Sequence, residues 1–142
     1  MTIKRWSTTI AILFLTGCAS QSENKALSPA LEGQWQVEDI SGQGVIDSSH
    51  ITLNVTGNTL SGSTGCNNFT GTFMQAENTL ATSKLAVTRK MCSPALMMQE
   101  QRYIEALNSA TEITQSPDKP WLFLRTPNSS TYIKLVKITS NE

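Results

Sequence analysis

Apolar and polar residues alternate along most of the chain beyond residue 30, the period of half-buried β-strands. Gly33-Gln34-Trp35-Gln36-Val37-Glu38 places Trp35 and Val37 on one face, and Ser41-Gly42-Gln43-Gly44 reads as a turn. Ile51, Leu53 and Val55 then alternate with Thr52, Asn54 and Thr56. Gly57-Asn58 follows, and both residues tolerate positive φ, so a hairpin is predicted there. Closing it sets Val55 opposite Leu60 and Leu53 opposite Gly62, which keeps the apolar face in register. Phe69, Gly71 and Phe73 share a face, Glu77-Asn78 supplies a turn, and Leu80 to Val87 reads as a further extended segment. Near the end, Thr111 to Gln115 predicts a short strand and Ser116 to Pro120 a loop. Trp121 to Arg125 and Thr131 to Ile138 are the arms of a terminal hairpin around Pro127-Asn128.

One segment changes period. Ser93 is placed to N-cap a helix with Pro94 at its first position, where a missing N–H costs nothing. From there to about Asn108, Leu96, Met97, Tyr103, Ile104 and Leu107 recur at helical spacing, with Gln99, Glu100, Arg102 and Glu105 on the wet side. The Met97-Met98 pair reads as adaptable core packing rather than a metal box. No internal repeat or second domain is evident. The order predicts an α+β fold: a curved antiparallel sheet, a half-barrel of about seven or eight strands, sealed by one helix near residues 94–108.

The N-terminus follows another pattern. Lys4 and Arg5 precede an apolar run from Thr8 to Leu15, the basic and apolar regions of a secretory signal. The run is well short of the about twenty residues that span a bilayer. It ends in Leu15-Thr16-Gly17-Cys18, which resembles the lipobox of bacterial lipoproteins. That resemblance implies cleavage between Gly17 and Cys18 and acylation of Cys18, with two or more chains giving a stable anchor at about 0.8 kcal/mol per buried CH₂. Ala19, where an Asp would signal retention in the inner membrane, implies sorting to the outer membrane with the domain facing the periplasm. The expected organisation is a signal peptide over residues 1–17, a polar tether over 18–30 and one domain over 31–139.

Composition narrows the function classes. Lys+Arg and Asp+Glu are balanced at 11 each among 142 residues, and loss of Lys4 and Arg5 leaves the mature chain slightly acidic. No basic stripe suits a phosphate backbone, so nucleic acid is not an expected partner. Two cysteines remain after Cys18: Cys66 and Cys92. In an oxidising compartment such a pair suggests a disulfide, with two buried thiols as the alternative. No metal or cofactor is expected, because the single histidine, His50, stands alone and two cysteines lack further ligands. A Cys–His nucleophile would need one of these cysteines free, and Asp39, Asp47, Glu100 and Glu105 form no evident catalytic pair. Enzymatic activity is therefore not expected. Three sequons, at Asn54, Asn68 and Asn128, are read as chance.

Gly65-Cys66-Asn67-Asn68-Phe69-Thr70-Gly71-Thr72-Phe73, followed by Thr88-Arg89-Lys90-Met91-Cys92, resembles the META domain of HslJ-like heat-shock lipoproteins. The opening Leu31-Glu32-Gly33-Gln34-Trp35 and the helical Met98-Gln99-Glu100-Gln101 match the same pattern. The resemblance covers roughly Leu31 to Ile138. It implies a curved sheet with one packed helix, similar to small pilot lipoproteins of secretion systems. It also implies an envelope location and an association with heat shock, envelope stress or novobiocin tolerance, and it carries over no catalytic residue. From the residues themselves, the Gly65 and Gly71 positions permit tight turning or close backbone approach. Asn67, Asn68, Arg89 and Lys90 form a candidate binding lip, with a structural role for the motif as the alternative. The expected partners are the membrane, through acylated Cys18, and an apolar ligand or envelope protein held in the concavity. A pilotin-like chaperone that docks a peptide there is the second expectation.

Overall fold

The computed structural model describes residues 29–139. The signal segment, Gly17, Cys18 and the tether up to residue 28 lie outside the described residues. Pro29 is already held, its carbonyl accepting from Gln75 Nε2 at 2.6 Å. Leu31 is buried and donates its N–H to Gln75 Oε1 at 3.2 Å.

The strands are β1 (Gly33–Ile40), β2 (Gln43–Gly44), β3 (Thr52–Thr56), β4 (Thr59–Ser63), β5 (Asn68–Ala76), β6 (Thr79–Thr82), β7 (Ala86–Val87), β8 (Glu112–Gln115), β9 (Trp121–Arg125) and β10 (Tyr132–Lys137), with α1 (Pro94–Ser109) between β7 and β8. All pairings are antiparallel. Eight strands run in the order β1–β3–β4–β5–β6–β8–β9–β10, and β10 returns to β1. The expected half-barrel is therefore closed. Closure joins the two ends of the domain, from Trp35↔Lys137 to Ile40↔Ile133, with a register shift between Val37 and Asp39. Val37, Ile40, Ile133 and Leu135 are all buried at this seam. An open edge there would leave these apolar rows and two sets of backbone groups wet. The opposite seam is slight. β6 meets β8 through the single pair Thr79↔Glu112, flanked by Leu80 N–H to Thr111 O at 3.0 Å and Ile113 N–H to Asn78 O at 2.8 Å.

Side-chain alternation fills the barrel as the sequence predicts. Leu53, Val55, Leu60, Phe69, Phe73, Leu122, Leu124, Ile133 and Leu135 point inward and are buried. The hairpin at Gly57-Asn58 forms with Val55↔Leu60 in register. The expected Leu53–Gly62 pair does not extend the ladder, which runs from Thr56↔Thr59 to Asn54↔Ser61. Gly62 instead sits under the Thr52 carbonyl and 2.9 Å, measured from an added Cβ, from the Phe69 ring. Only a residue without a side chain fits there. Leu80 to Val87 is not one strand: it breaks into β6 and β7, which pair with successive parts of β5.

Helix α1 packs against β1, β9 and β10 and sends its inward side chains into the barrel core. Gln99, Tyr103, Ala106 and Leu107 face inward, the i, i+4, i+7, i+8 spacing of one helical stripe. Tyr103 packs edge-on against Phe69 with ring centroids 5.6 Å apart and donates its hydroxyl to Thr52 O at 3.3 Å. Two expectations are corrected here. Gln99 is fully buried rather than wet, because its Oε1 is needed to accept the Ile46 N–H at 2.7 Å. Met97 and Met98 are exposed rather than core, because the stripe centred on Tyr103 and Leu107 leaves them outside it. Ser93 occupies the N-cap position with Pro94 next, but its hydroxyl makes no capping bond. No helix among the described residues is long and apolar enough to cross a membrane.

Candidate functional site

The motif residues converge where the β4–β5 hairpin meets the segment leading into α1. Thr64 to Asn67 forms the hairpin turn, with the Thr64 N–H donating to Asn67 O at 2.8 Å. Gly65 sits at φ +86°, and an added Cβ would lie 2.8 Å from Ser49 O. Both conditions select glycine. Asn67 is buried, and its amide is engaged on both sides. Oδ1 accepts the Lys90 N–H at 2.7 Å and the Thr88 hydroxyl at 2.9 Å. Nδ2 donates to Glu100 Oε1 at 3.1 Å and to Lys90 O at 3.3 Å. Glu100 Oε2 takes the Thr64 hydroxyl.

Beside this network, Cys66 and Cys92 are joined by a disulfide across a sequence separation of 26. The same stretch of chain is thus fastened by a covalent bond and by one asparagine. This explains why Gly-Cys-Asn and Thr-Arg-Lys-Met-Cys occur together: they are the two halves of a brace. The disulfide occupies both thiols, and among the described residues no group of three or more His, Cys, Asp or Glu gathers.

Two grooves border β7. The one between β7 and α1 has a volume of about 420 Å³. Its apolar lining is Leu85, Val87 and Ile104, and Arg89, Gln101 and Glu105 stand at its rim. The other, about 300 Å³, lies against the paired strands β5 and β7 and is lined by Asn68, Phe69, Val87 and Thr88 among others. Of the four expected lip residues, Arg89 enters the first groove and Asn68 the second. Asn67 is buried and lines neither, and Lys90 engages Asn67 through its main chain while remaining exposed. In the sequence Thr88 and Glu100 stand out only as motif residues and Ile104 only as part of the helical stripe, and Thr64 carries no signal. The signal for Glu100 was a charged residue beside the inward helical stripe.

Larger shallow grooves of about 650 and 450 Å³ run along the β5–β6 hairpin by Met74 and Ala81. No titratable side chain lines either of them, so they offer little to orient a ligand. On the outer face of β9 and β10, Lys134 Nζ stands 3.6 Å from the centre of the Trp121 ring. The Arg125 guanidinium lies 4.8 Å from that of Phe123 and 5.4 Å from that of Tyr132. Those ring faces are already covered by the protein's own cations.

A closed antiparallel barrel plugged by one helix and braced by a buried asparagine and a disulfide defines a small β-barrel domain class. The META domain family model matches residues 27–137, and the chain belongs to that family. The fold is similar to a solution structure of a protein from Burkholderia xenovorans, at 20% identity and a TM-score of 0.60, covering 77% of this chain and 83% of that one. It is also similar to the crystal structure of a DUF4847 family protein from Bacteroides vulgatus, at 17% identity and a TM-score of 0.56, covering 82% of this chain and 97% of that one. No curated protein matches the chain.

Proposed function

We propose that this META domain protein is a lipid-anchored protein of the bacterial outer membrane, cut between Gly17 and Cys18, acylated on Cys18 and facing the periplasm. In this reading it acts by binding rather than catalysis, in tolerance of heat or antibiotic stress. The observation that carries the binding role is the β7/α1 groove of about 420 Å³, where a floor of Leu85, Val87 and Ile104 meets Arg89 and Glu105 at the rim. A few placed charges over an apolar floor orient a ligand, whereas the brace beneath holds the walls in place. The lipobox-like Leu15-Thr16-Gly17-Cys18 supports the anchor, and the Cys66–Cys92 disulfide supports an oxidising compartment. A pilotin-like chaperone is the second reading, and the exposed backbone edge of β7 favours it.

A deletion strain tests the proposal when challenged with heat and hydrophobic antibiotics, then complemented with wild type, Cys18→Ser or Arg89→Ala with Glu105→Ala. Wild type is expected to restore tolerance, and the other two to fail. Mass spectrometry is expected to find a lipidated N-terminal Cys18; an intact, unlipidated precursor starting at Met1 overturns the anchored reading.

A further inference from the structure

We infer that the β7/α1 groove takes an extended segment of a partner polypeptide, which adds as a strand to the free edge of β7. The inference rests on the proposed binding role of that groove. Its physical basis is the direction of β7's backbone groups. Thr88 N–H donates to Asn68 O at 2.9 Å, and β7 pairs with β5 as Phe69↔Val87 and Thr70↔Ala86. In an antiparallel ladder, hydrogen-bonded and non-bonded pairs alternate. Thr88 and Ala86 therefore spend their backbone groups on β5, and the Val87 N–H and C=O point the other way, into the groove that Val87 lines. Neither group has a partner among the described residues. The next wall is α1, which offers side chains and no strand. No strand covers this edge, because β6 meets β8 through one pair and β7 pairs only with β5.

An unpaired strand edge is a template for another strand. The groove's other groups set the chemistry of the incoming one. Val87 and Ile104 are half-buried and present apolar surface to one face of it. Glu100 has both carboxylate oxygens engaged, by Thr64 and Asn67. Glu105 accepts from Gln101 through Oε1 at 2.9 Å, which leaves Oε2 without a partner among the described residues. With two carboxylates against the single Arg89, the groove favours a segment that is apolar at alternate positions and carries a basic side chain beside Glu105. A small apolar molecule is the poorer occupant, because five of the eight lining residues are polar or charged.

The test selects a display library of short linear peptides against the full chain carrying Cys18→Ser. Recovered peptides are titrated into the same chain, isotope-labelled, and followed by amide shifts. The expected binders are rich in alternating apolar residues with Lys or Arg, and they shift and protect the Val87 amide. Val87→Pro removes an N–H that the barrel does not use, and is expected to weaken binding by about tenfold or more, whereas Val87→Ile does not. Single N-methylation of the peptide at a pairing position produces the same loss on the unaltered protein, so the result stands even if Val87→Pro fails to fold. Peptides that shift groove amides yet tolerate both changes overturn strand addition and leave groove binding standing. Binders that shift Met74 and Ala81 instead, or a library that yields no binder, overturn both.

Discussion

Asn67 and Glu100, separated by 33 positions in the chain, meet through a 3.1 Å hydrogen bond from Nδ2 to Oε1. Because Asn67 also holds Lys90 and Thr88, one buried amide ties the β4–β5 turn, the irregular segment after β7 and the first turns of α1.

Asn67→Ala leaves the Glu100 carboxylate, the Lys90 N–H and the Thr88 hydroxyl short of partners at once. The expected loss is about 3 kcal/mol in urea unfolding, since each orphaned buried polar group costs about 1–3 kcal/mol and neighbours relax in part. Asn68→Ala, next in sequence but exposed, is expected to stay within about 0.5 kcal/mol of wild type.

Much of this architecture was legible in advance, and the exceptions have physical causes. Alternation located the strands because each has one buried face, as in Leu53 and Val55 against Thr52 and Asn54. Pro94 and the spacing of Tyr103 and Leu107 located the helix. Closure was not legible, because the pairing of Trp35 with Lys137 is set by tertiary fit between the two ends of the domain and leaves no local signal. Gln99 escapes a reading by polarity, which places it in solvent, because its amide oxygen serves the Ile46 backbone. The two motifs around Asn67 and Arg89 come together in space, but exposure separates the buried Asn67 from the exposed Arg89, and exposure is not written in residue type.

The disulfide gives a second expectation. Cys66→Ser with Cys92→Ser is expected to lower stability by about 3.5 kcal/mol, the chain-entropy value for a loop set by a separation of 26. Chemical denaturation compares the two proteins. Thiol labelling of the denatured, unreduced Cys18→Ser chain is expected to find no free thiol.

Tyr103 predicts an alkaline limit. Burial raises its pKa well above the ordinary value of 10.0. The unfolded chain therefore ionises first as pH climbs, and the stability contributed below pH 10 is lost above it. The expected slope is about 1.4 kcal/mol per pH unit beyond that point. Tyr103→Phe, which cannot ionise, is expected to flatten this part of the stability–pH curve while losing the bond to Thr52 O.

Gly62→Ala sets a methyl against the Thr52 carbonyl and the Phe69 ring, and backbone cannot step aside as a flexible side chain would. The expected cost is about 3 kcal/mol or more, read as a fall in melting temperature. Gly44→Ala, which meets nothing within 4 Å, is the control and is expected to be near neutral.

The join between β1 and β10 has a kinetic meaning. The strand that begins at Gly33 has one neighbour close by in β3, but its other neighbour is Tyr132–Lys137, so the ring cannot shut until nearly all of the domain is present. Contacts so far apart in sequence also slow folding, since the intervening loop must be ordered first. In a chain made amino end first, the hairpins from β3 to β6 have their partners early, whereas the last strand decides when the cylinder becomes a cylinder.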